Sequence, residues 1–476
     1  MHRFLLDNDG HNFLGTLGDD VEAAVAETVR ECPSQVTTYL LCSGAGTSYW
    51  PTKIGVVDPR STGLIAAHQR GLDPLGMLLA GLKASGKETI ITCRMNDVHN
   101  PTDADAWNTP VVRREHPECV VGAAEIAAGT TEWMSYCLDY AQPVVQQYVL
   151  GLILEQVELY GDTIDGFQLD WMRFPRHLAG TPAQVWAQRA VITDFIAQVR
   201  AVLDASGHRL SLAARVPTTL AGCRHLGFDI GAWASRELID YLVVCPFLTT
   251  DWSIPVADFR AVMAGHEVPV YAGFDFGFGA QHHMPESLRA ICTSLYECGA
   301  DGIYIFNFPC WSQYLQARPY HWLSNLDHAA TASAKPLLFA VQHNRHRIAG
   351  VDQTGQLPVK LAAGTELTLT LELPAAALPA ERALLLVHSH GDIGVSINGV
   401  MAAPMHSGNG HGSTYRSEIF CEFVDQYFAV GNRPKPEDCR NFSVAATALR
   451  SGTNTLVLTN PGPAELEIER VNLGLW

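Results

Sequence analysis

The chain has 476 residues, 47% hydrophobic and 17% charged, which excludes a disordered polymer and leaves room for two domains. A formal net charge of −17 repels phosphate backbones and anionic lipid, so neither nucleic acid nor membrane is an expected partner. No run approaches the ~20 apolar residues of a membrane helix. Met1-His2-Arg3 opens no apolar signal region, which points to a cytoplasmic protein, or to a secreted one whose leader has been removed.

Over roughly the first 330 residues, short apolar runs alternate with helical patterns, as in a parallel sheet with crossover helices. Eight runs read as strands: Arg3–Asp7, Thr37–Cys42, Thr89–Cys93, Gly166–Asp170, Leu210–Ala214, Tyr241–Cys245, Val268–Ala272 and Gly302–Phe306. Each is nearly continuous in apolar character, as strands covered on both faces should be. Asp73-Pro74 starts a helix that Gly86 stops, and Thr181-Pro182 starts one running to about Ala205. Val145, Val149, Leu152 and Ile153 form a helical stripe between Pro143 and Tyr160, and a further helix spans Pro285 to Cys298. The connection from Asn96 to about Tyr136 is long, and such loops tend to carry function. Eight β/α pairs close a (β/α)8 TIM barrel, so residues 1–330 are expected to form an α/β barrel domain.

After Ala334 the pattern changes to strands parted by turns: Glu366–Glu372, Ala383–His388, Val395–Asn398, Glu418–Phe423, Thr455–Thr459 and Ala464–Leu473. Residues 336–476 therefore read as an all-β sandwich of jelly-roll type with about eight to ten strands. The run Leu449-Arg450-Ser451-Gly452-Thr453-Asn454-Thr455-Leu456 resembles a strand entry of galactose-binding-like domains. Packing on the barrel or a homo-oligomer interface is an equal reading of this domain. The 12 cysteines are scattered with no CxxC pair, so reduced thiols are expected and structural zinc is not, with Cys421 and Cys439 as one candidate pair.

Barrel active sites lie at the C-terminal ends of the strands. Those ends carry Asp7-Asn8-Asp9, Arg94 with Asn96, Asp97 and His99, Asp170-Trp171-Met172-Arg173, Arg215, Thr250-Asp251-Trp252, Asp275 and Asn307. A lone polar strand end is unremarkable, but seven of eight with carboxylates, arginines or amides is not. Carboxylates supply acid, base or nucleophile in glycosidic cleavage. Tryptophan stacks on sugar rings, and Arg, Asn and Asp bind hydroxyls.

The run Asp165-Gly166-Phe167-Gln168-Leu169-Asp170-Trp171-Met172-Arg173-Phe174-Pro175 resembles the strand-four region of bacterial glycosyl-hydrolase-like barrels, with their Asp-Gly-x-x-Leu-Asp-x-x-Arg-x-Pro signature. Arg94 to His99, Gly227-Phe228-Asp229 to Trp233, and Ile239-Asp240-Tyr241 are similar to relatives in that group. The resemblance spans roughly residues 1–325 and implies a class of chemistry without a substrate. It makes Asp170 the first candidate for nucleophile or base, beside the plainer reading of an ion pair with Arg173. The group's second acid follows strand seven in a Gly-x-Glu context; here the run is Gly273-Phe274-Asp275. Asp275 is thus the candidate general acid and Asp251 its rival, followed by Asp9 and Asp97. Asp9, Arg94, Asn96, Asp97, His99, Trp171, Arg173, Arg215, Trp252 and Asn307 are candidate substrate-binding residues, each with a structural alternative.

Ser43-Gly44-Ala45-Gly46-Thr47-Ser48 lacks the features of a phosphate loop, Asp7-x-Asp9-Gly10 is too short for a calcium loop, and no Gly-x-Ser-x-Gly elbow occurs. His282-His283 reads as a solvated turn. The sequence thus predicts a glycoside hydrolase with paired aspartates, a carbohydrate as partner, and neither cofactor nor metal. The alternatives are a non-catalytic carbohydrate-binding barrel and a lyase or metal-assisted hydrolase.

Overall fold

The computed structural model describes residues 3–103, 105–275, 285–309, 320–405 and 439–476. Eight parallel strands close a barrel in sequence order: β1 (Arg3–Asn8), β2 (Thr38–Cys42), β3 (Glu88–Arg94), β4 (Gly166–Asp170), β5 (Ser211–Val216), β6 (Tyr241–Val244), β7 (Val270–Asp275) and β8 (Gly302–Phe306). β8 returns to β1 with Arg3 opposite Gly302 and Asp7 opposite Phe306. Helices fill the crossovers, and their starts follow the sequence signals. The Asp73 side chain accepts from Gly76 N–H, and Thr181 and Gln184 form a reciprocal capping box.

One expected helix is two. The stretch from Pro182 to Ala205 divides into Pro182–Ala187 and Ala190–Ala205. At the junction the Arg189 side chain turns back to the Trp186 carbonyl, its ring contact with Trp186 and its ion pair with Asp229 fixing the bend. The long connection after β3 carries short helices at Val111–Glu115 and Ala123–Ala127, a 3-10 turn at Trp133–Tyr136, and then the helix Pro143–Tyr160.

Strand alternation divides the core in two. Leu5, Leu40, Ile90, Ala213, Tyr241, Val243, Tyr271, Tyr304 and Phe306 pack together inside the barrel. At the N-terminal end of the lumen Arg3 grips both oxygens of Glu88 at 2.7 Å and lies over the Tyr241 ring. The residues between these face the helices. Trp171, next in sequence to inward-facing Asp170, is fully buried among Tyr140, His177, Phe195 and Phe228.

Beyond the barrel the chain becomes antiparallel β structure. The strands are β9 (Leu337–Ala340), β10 (Val359–Leu361), β11 (Glu366–Leu373), β12 (Ala383–Ser389), β13 (Gly394–Ile397), β14 (Val400–Met401), β15 (Ala403–Pro404), β16 (Cys439–Val444), β17 (Gly452–Thr459) and β18 (Leu466–Leu475). They form a sheet ordered β10-β18-β12-β16-β15, with β9 also on β18, and a second sheet ordered β11-β17-β13-β14. This is the expected all-β sandwich. Alternation is plain in β11, where Leu369, Leu371 and Leu373 are buried and the residues between them exposed. Asn454 in the β17 entry is fully buried; it braces its own turn through the carbonyls of Arg450 and Gly452 and accepts from Asn398. The expected strand Glu418–Phe423, Cys421 and the His282-His283 turn lie outside the described residues. Among the described residues no helix is long and apolar enough to cross a membrane.

Because Trp171 fills the layer between barrel and helices, Trp171→Ala is expected to cost about 3–5 kcal/mol of unfolding free energy, read by urea denaturation. A loss well under that, with weakened sugar binding instead, would return Trp171 to the ligand-contact role that its sequence position suggested.

Candidate active site

Register brings the strand-end groups to one level. Arg94 of β3 stands opposite Asp170 of β4, and Asp170 opposite Arg215 of β5. On the other wall Asp275 of β7 stands opposite Phe306 of β8, and Phe306 opposite Asp7 of β1. The upper lumen is therefore ringed by three carboxyls and two guanidinium groups, on five of the eight strands.

Asp170 and Arg215 are both fully buried, with Arg215 Nη1 3.3 Å from Asp170 Oδ2. Asp170 Oδ1 accepts from the Met172 N–H at 3.0 Å. Arg215 Nη2 donates to the Pro246 carbonyl at 2.6 Å, and its guanidinium lies 4.1 Å from the Phe306 ring centre. Asp275 accepts from the Leu248 N–H at 3.1 Å through Oδ2, while its Oδ1 has no partner among the described residues. Asp7 Oδ2 accepts from Tyr304 at 2.7 Å and from Thr92 and Gln168 at 3.0 Å.

A second row lies beside this ring. Arg94 reaches Asp97 at 2.8 Å and Asp9 at 3.4 Å. Asp97 Oδ1 lies 2.5 Å from Nδ1 of His99, whose Nε2 is 3.4 Å from Arg173. Arg173 is buried between the Phe247, Phe174 and Phe306 rings. His99 is the most open of these side chains, at 40% exposure.

Burial and neighbouring charge set these carboxyls apart. Burial pushes Asp275 up to about 7, against the pull of Arg215 and Arg173. Burial also raises Asp7 to about 7, aided by the charge of Asp170 and resisted by the Tyr304 hydrogen bond. Burial opposes ionisation of Asp97 as well, but His99, Arg94 and Arg173 outweigh it and hold that carboxyl well below the usual range. Among the described residues six buried polar atoms here lack a partner: Asp7 Oδ1, Gln168 Oε1, Asp275 Oδ1, Asn307 Oδ1, Arg173 Nε and Arg215 Nε. Natural interiors hold few such atoms, and each costs about 1–3 kcal/mol when left unmet.

Of the other sequence candidates, Asn96, Asp251 and Trp252 lie away from this ring, and Asn307 sits on its rim. Asn96 stitches the long loop, bonding to the Arg176 carbonyl, His177 and the Leu138 N–H. Asp251 is fully buried and committed to Thr218 and Arg347. Trp252 packs on Phe339 of β9. Asn307 sits at the rim, its N–H bonded to the Asp7 carbonyl at 2.9 Å. Gln168, Thr92 and Tyr304 escaped the sequence reading, and Asp7 appeared there only as a polar strand end. Their signal was strand alternation: Asp7 shares the face of Arg3 and Leu5, and Gln168 is an amide in an otherwise apolar strand. Among the described residues no group of three or more potential metal ligands occurs.

No protein-family model matches the chain, and no curated protein matches it in sequence. Solved structures similar to it include β-galactosidases from the psychrophilic Marinomonas ef1 and from Rahnella sp. R3. The first is 10% identical over 64% of this chain and 54% of its own, with a TM-score of 0.43. The second is 12% identical over 64% and 50%, at 0.41. The chain thus spans about half the length of these enzymes. A GH113 β-1,4-mannanase is 12% identical over 64% of this chain and 87% of its own, at 0.35. At such identities and TM-scores none of them assigns an activity to this chain.

Proposed function

We propose that the upper lumen is the active site of a glycoside hydrolase that cleaves an O-glycosidic bond in an oligo- or polysaccharide. Asp170 acts as nucleophile or general base and Asp275 as general acid. The observation that carries this reading is the unlike setting of two carboxyls around one arginine. Asp170 is ion-paired with Arg215, whereas Asp275 feels the same guanidinium yet has one oxygen unpartnered and its pKa lifted to about 7. Carboxyls driven apart in this way can divide acid and base roles at neutral pH. The six unpartnered atoms, four oxygens and two guanidinium N–H groups, suit a polyhydroxylated ligand, since each hydroxyl both donates and accepts. Arg94, Asp97, His99 and Arg173 form the neighbouring subsite.

Against a panel of aryl glycosides, Asp170→Asn should abolish turnover in a protein that still folds, with its unfolding midpoint lowered because buried Arg215 loses its counter-charge; substantial residual cleavage would remove the assignment. Asp275→Asn should lower kcat by about 10²–10⁴-fold on glycosides with poor leaving groups. It should do far less on dinitrophenyl glycosides, whose leaving group needs no proton. Wild-type activity should fall as pH rises through about 7, where Asp275 loses its proton. Oligosaccharide binding without any cleavage would favour the non-catalytic alternative.

The protonation of Asp275 can also be read without a substrate. Asp7, Asp275 and Asp352 have folded-state pKa values near 7 against an ordinary 3.8, so between these limits the folded state holds more protons than the unfolded one. Their contribution to stability is whole below pH ~4, declines upward, and is exhausted above ~7. Asp97 and Glu125, shifted down, act oppositely at lower pH; buried His177 and His343, lowered to about 4, also act oppositely, up to about pH 6.5, but over a shorter span than the three carboxyls. The thermal midpoint should therefore be higher at pH 5 than at pH 8, and Asp275→Asn should flatten that difference. An unchanged slope would contradict a neutral Asp275.

A further inference from the structure

The segment after β9 lies against the top of the barrel. Trp252 N–H donates to Gln342 Oε1 at 3.3 Å, and Gln353 donates to the Ser253 carbonyl at 2.8 Å. Gly222 permits close approach: a Cβ there would stand 2.2 Å from the Val351 carbonyl. At the centre is Arg347, whose side chain is 3% exposed. It reaches Asp251 Oδ1 at 2.5 Å and the Thr250 carbonyl at 3.0 Å on the barrel side. On its own side it holds the carbonyls of His343 at 2.6 Å and Gln353 at 2.9 Å.

The loop that Arg347 grips is the one that holds the proposed active centre. Between residues 246 and 249 its backbone makes three bonds to that centre. Pro246 O accepts from Arg215, Leu248 N–H donates to Asp275 Oδ2, and Thr249 O accepts from the Asp275 N–H at 3.2 Å. Leu248 takes φ +54°, a conformation costly for a branched side chain and kept only where surroundings enforce it. The next two residues, Thr250 and Asp251, are the ones Arg347 holds. The backbone of residues 246–251 thus joins the polar contacts of Arg347 outside the barrel to those that reach Asp275 directly and Asp170 through Arg215.

We propose that Arg347 is a positioning residue for the barrel's active centre: by clamping Thr250 and Asp251 it fixes the 246–251 loop, which in turn sets Arg215 and Asp275. This rests on the glycosidase reading for its catalytic consequence, but the clamp itself can be tested apart from any substrate. Arg347→Met keeps length and bulk while removing every bond. Hydrogen exchange of the 246–251 peptide should quicken by about tenfold or more as local opening becomes easier, with the barrel strands unchanged. On the glycoside that wild type cleaves best, kcat should fall about tenfold to a hundredfold, as for a small misplacement of reacting groups, with KM nearly unmoved. Arg347→Lys, which can meet Asp251 but not all four partners, should recover part of the loss.

Unchanged exchange and unchanged kcat in a folded Arg347→Met protein would overturn the proposal. So would a loss of activity lying wholly in KM. Should Arg347→Met fail to fold, Asp251→Asn removes the ion pair alone, and the same local exchange signature is expected there; its absence counts against the clamp. If wild type cleaves no glycoside, the functional reading fails while the exchange experiment still decides the role of Arg347.

Discussion

A charge inside a closed barrel has no water to turn to, and the fully buried Asp170–Arg215 pair shows how this chain meets that constraint. Taking either ion out of water costs several kcal/mol, and attraction between them offsets that only when their remaining valences are met. The Met172 N–H meets Asp170 and the Pro246 carbonyl meets Arg215, while the Phe306 ring covers the guanidinium; Arg215 Nε alone is left unmet among the described residues. The geometry of the loops after β4 and β6 is therefore tied to the needs of one ion pair. Asp275 and Asp7 experience the same dry surroundings with less compensation, and their carboxyls respond by holding their protons to higher pH.

The barrel interior is graded along its axis. Arg3 and Glu88 close the N-terminal end with a bidentate pair, apolar side chains fill the middle, and the polar ring lies above them. Among the described residues of the lumen most unsatisfied atoms lie in this upper ring, with the Tyr241 hydroxyl an exception lower down. That asymmetry separates the residues that stabilise the fold from those available for chemistry, even though both sets are buried.

Much of this was legible in the sequence because the barrel strands are buried on both faces and read as short apolar runs. Asp170, Arg215 and Asp275 could be found because they end such runs. Asp7 was less visible, being followed two residues later by Asp9 in a run of polar residues; only counting alternate positions from Arg3 separates the inward carboxyl from its neighbour on the rim. The same rule turns Trp171 away from the lumen because Asp170 points into it. Asp251 could not be sorted from Asp275 by any local pattern, since the arginine that claims it lies 96 residues further on. The break near Gln188 was equally hidden; Arg189 there makes a tertiary ion pair with Asp229 that no local pattern announces.

The contact of Trp252 with Phe339 has a corollary for stability. Backbone architecture switches between the last barrel helix and β9, but apolar packing does not: side chains of the barrel and of both sheets belong to one continuous core. Replacing this C-terminal portion by an unrelated module would strip apolar cover from the barrel rim, so its removal should destabilise the barrel as well.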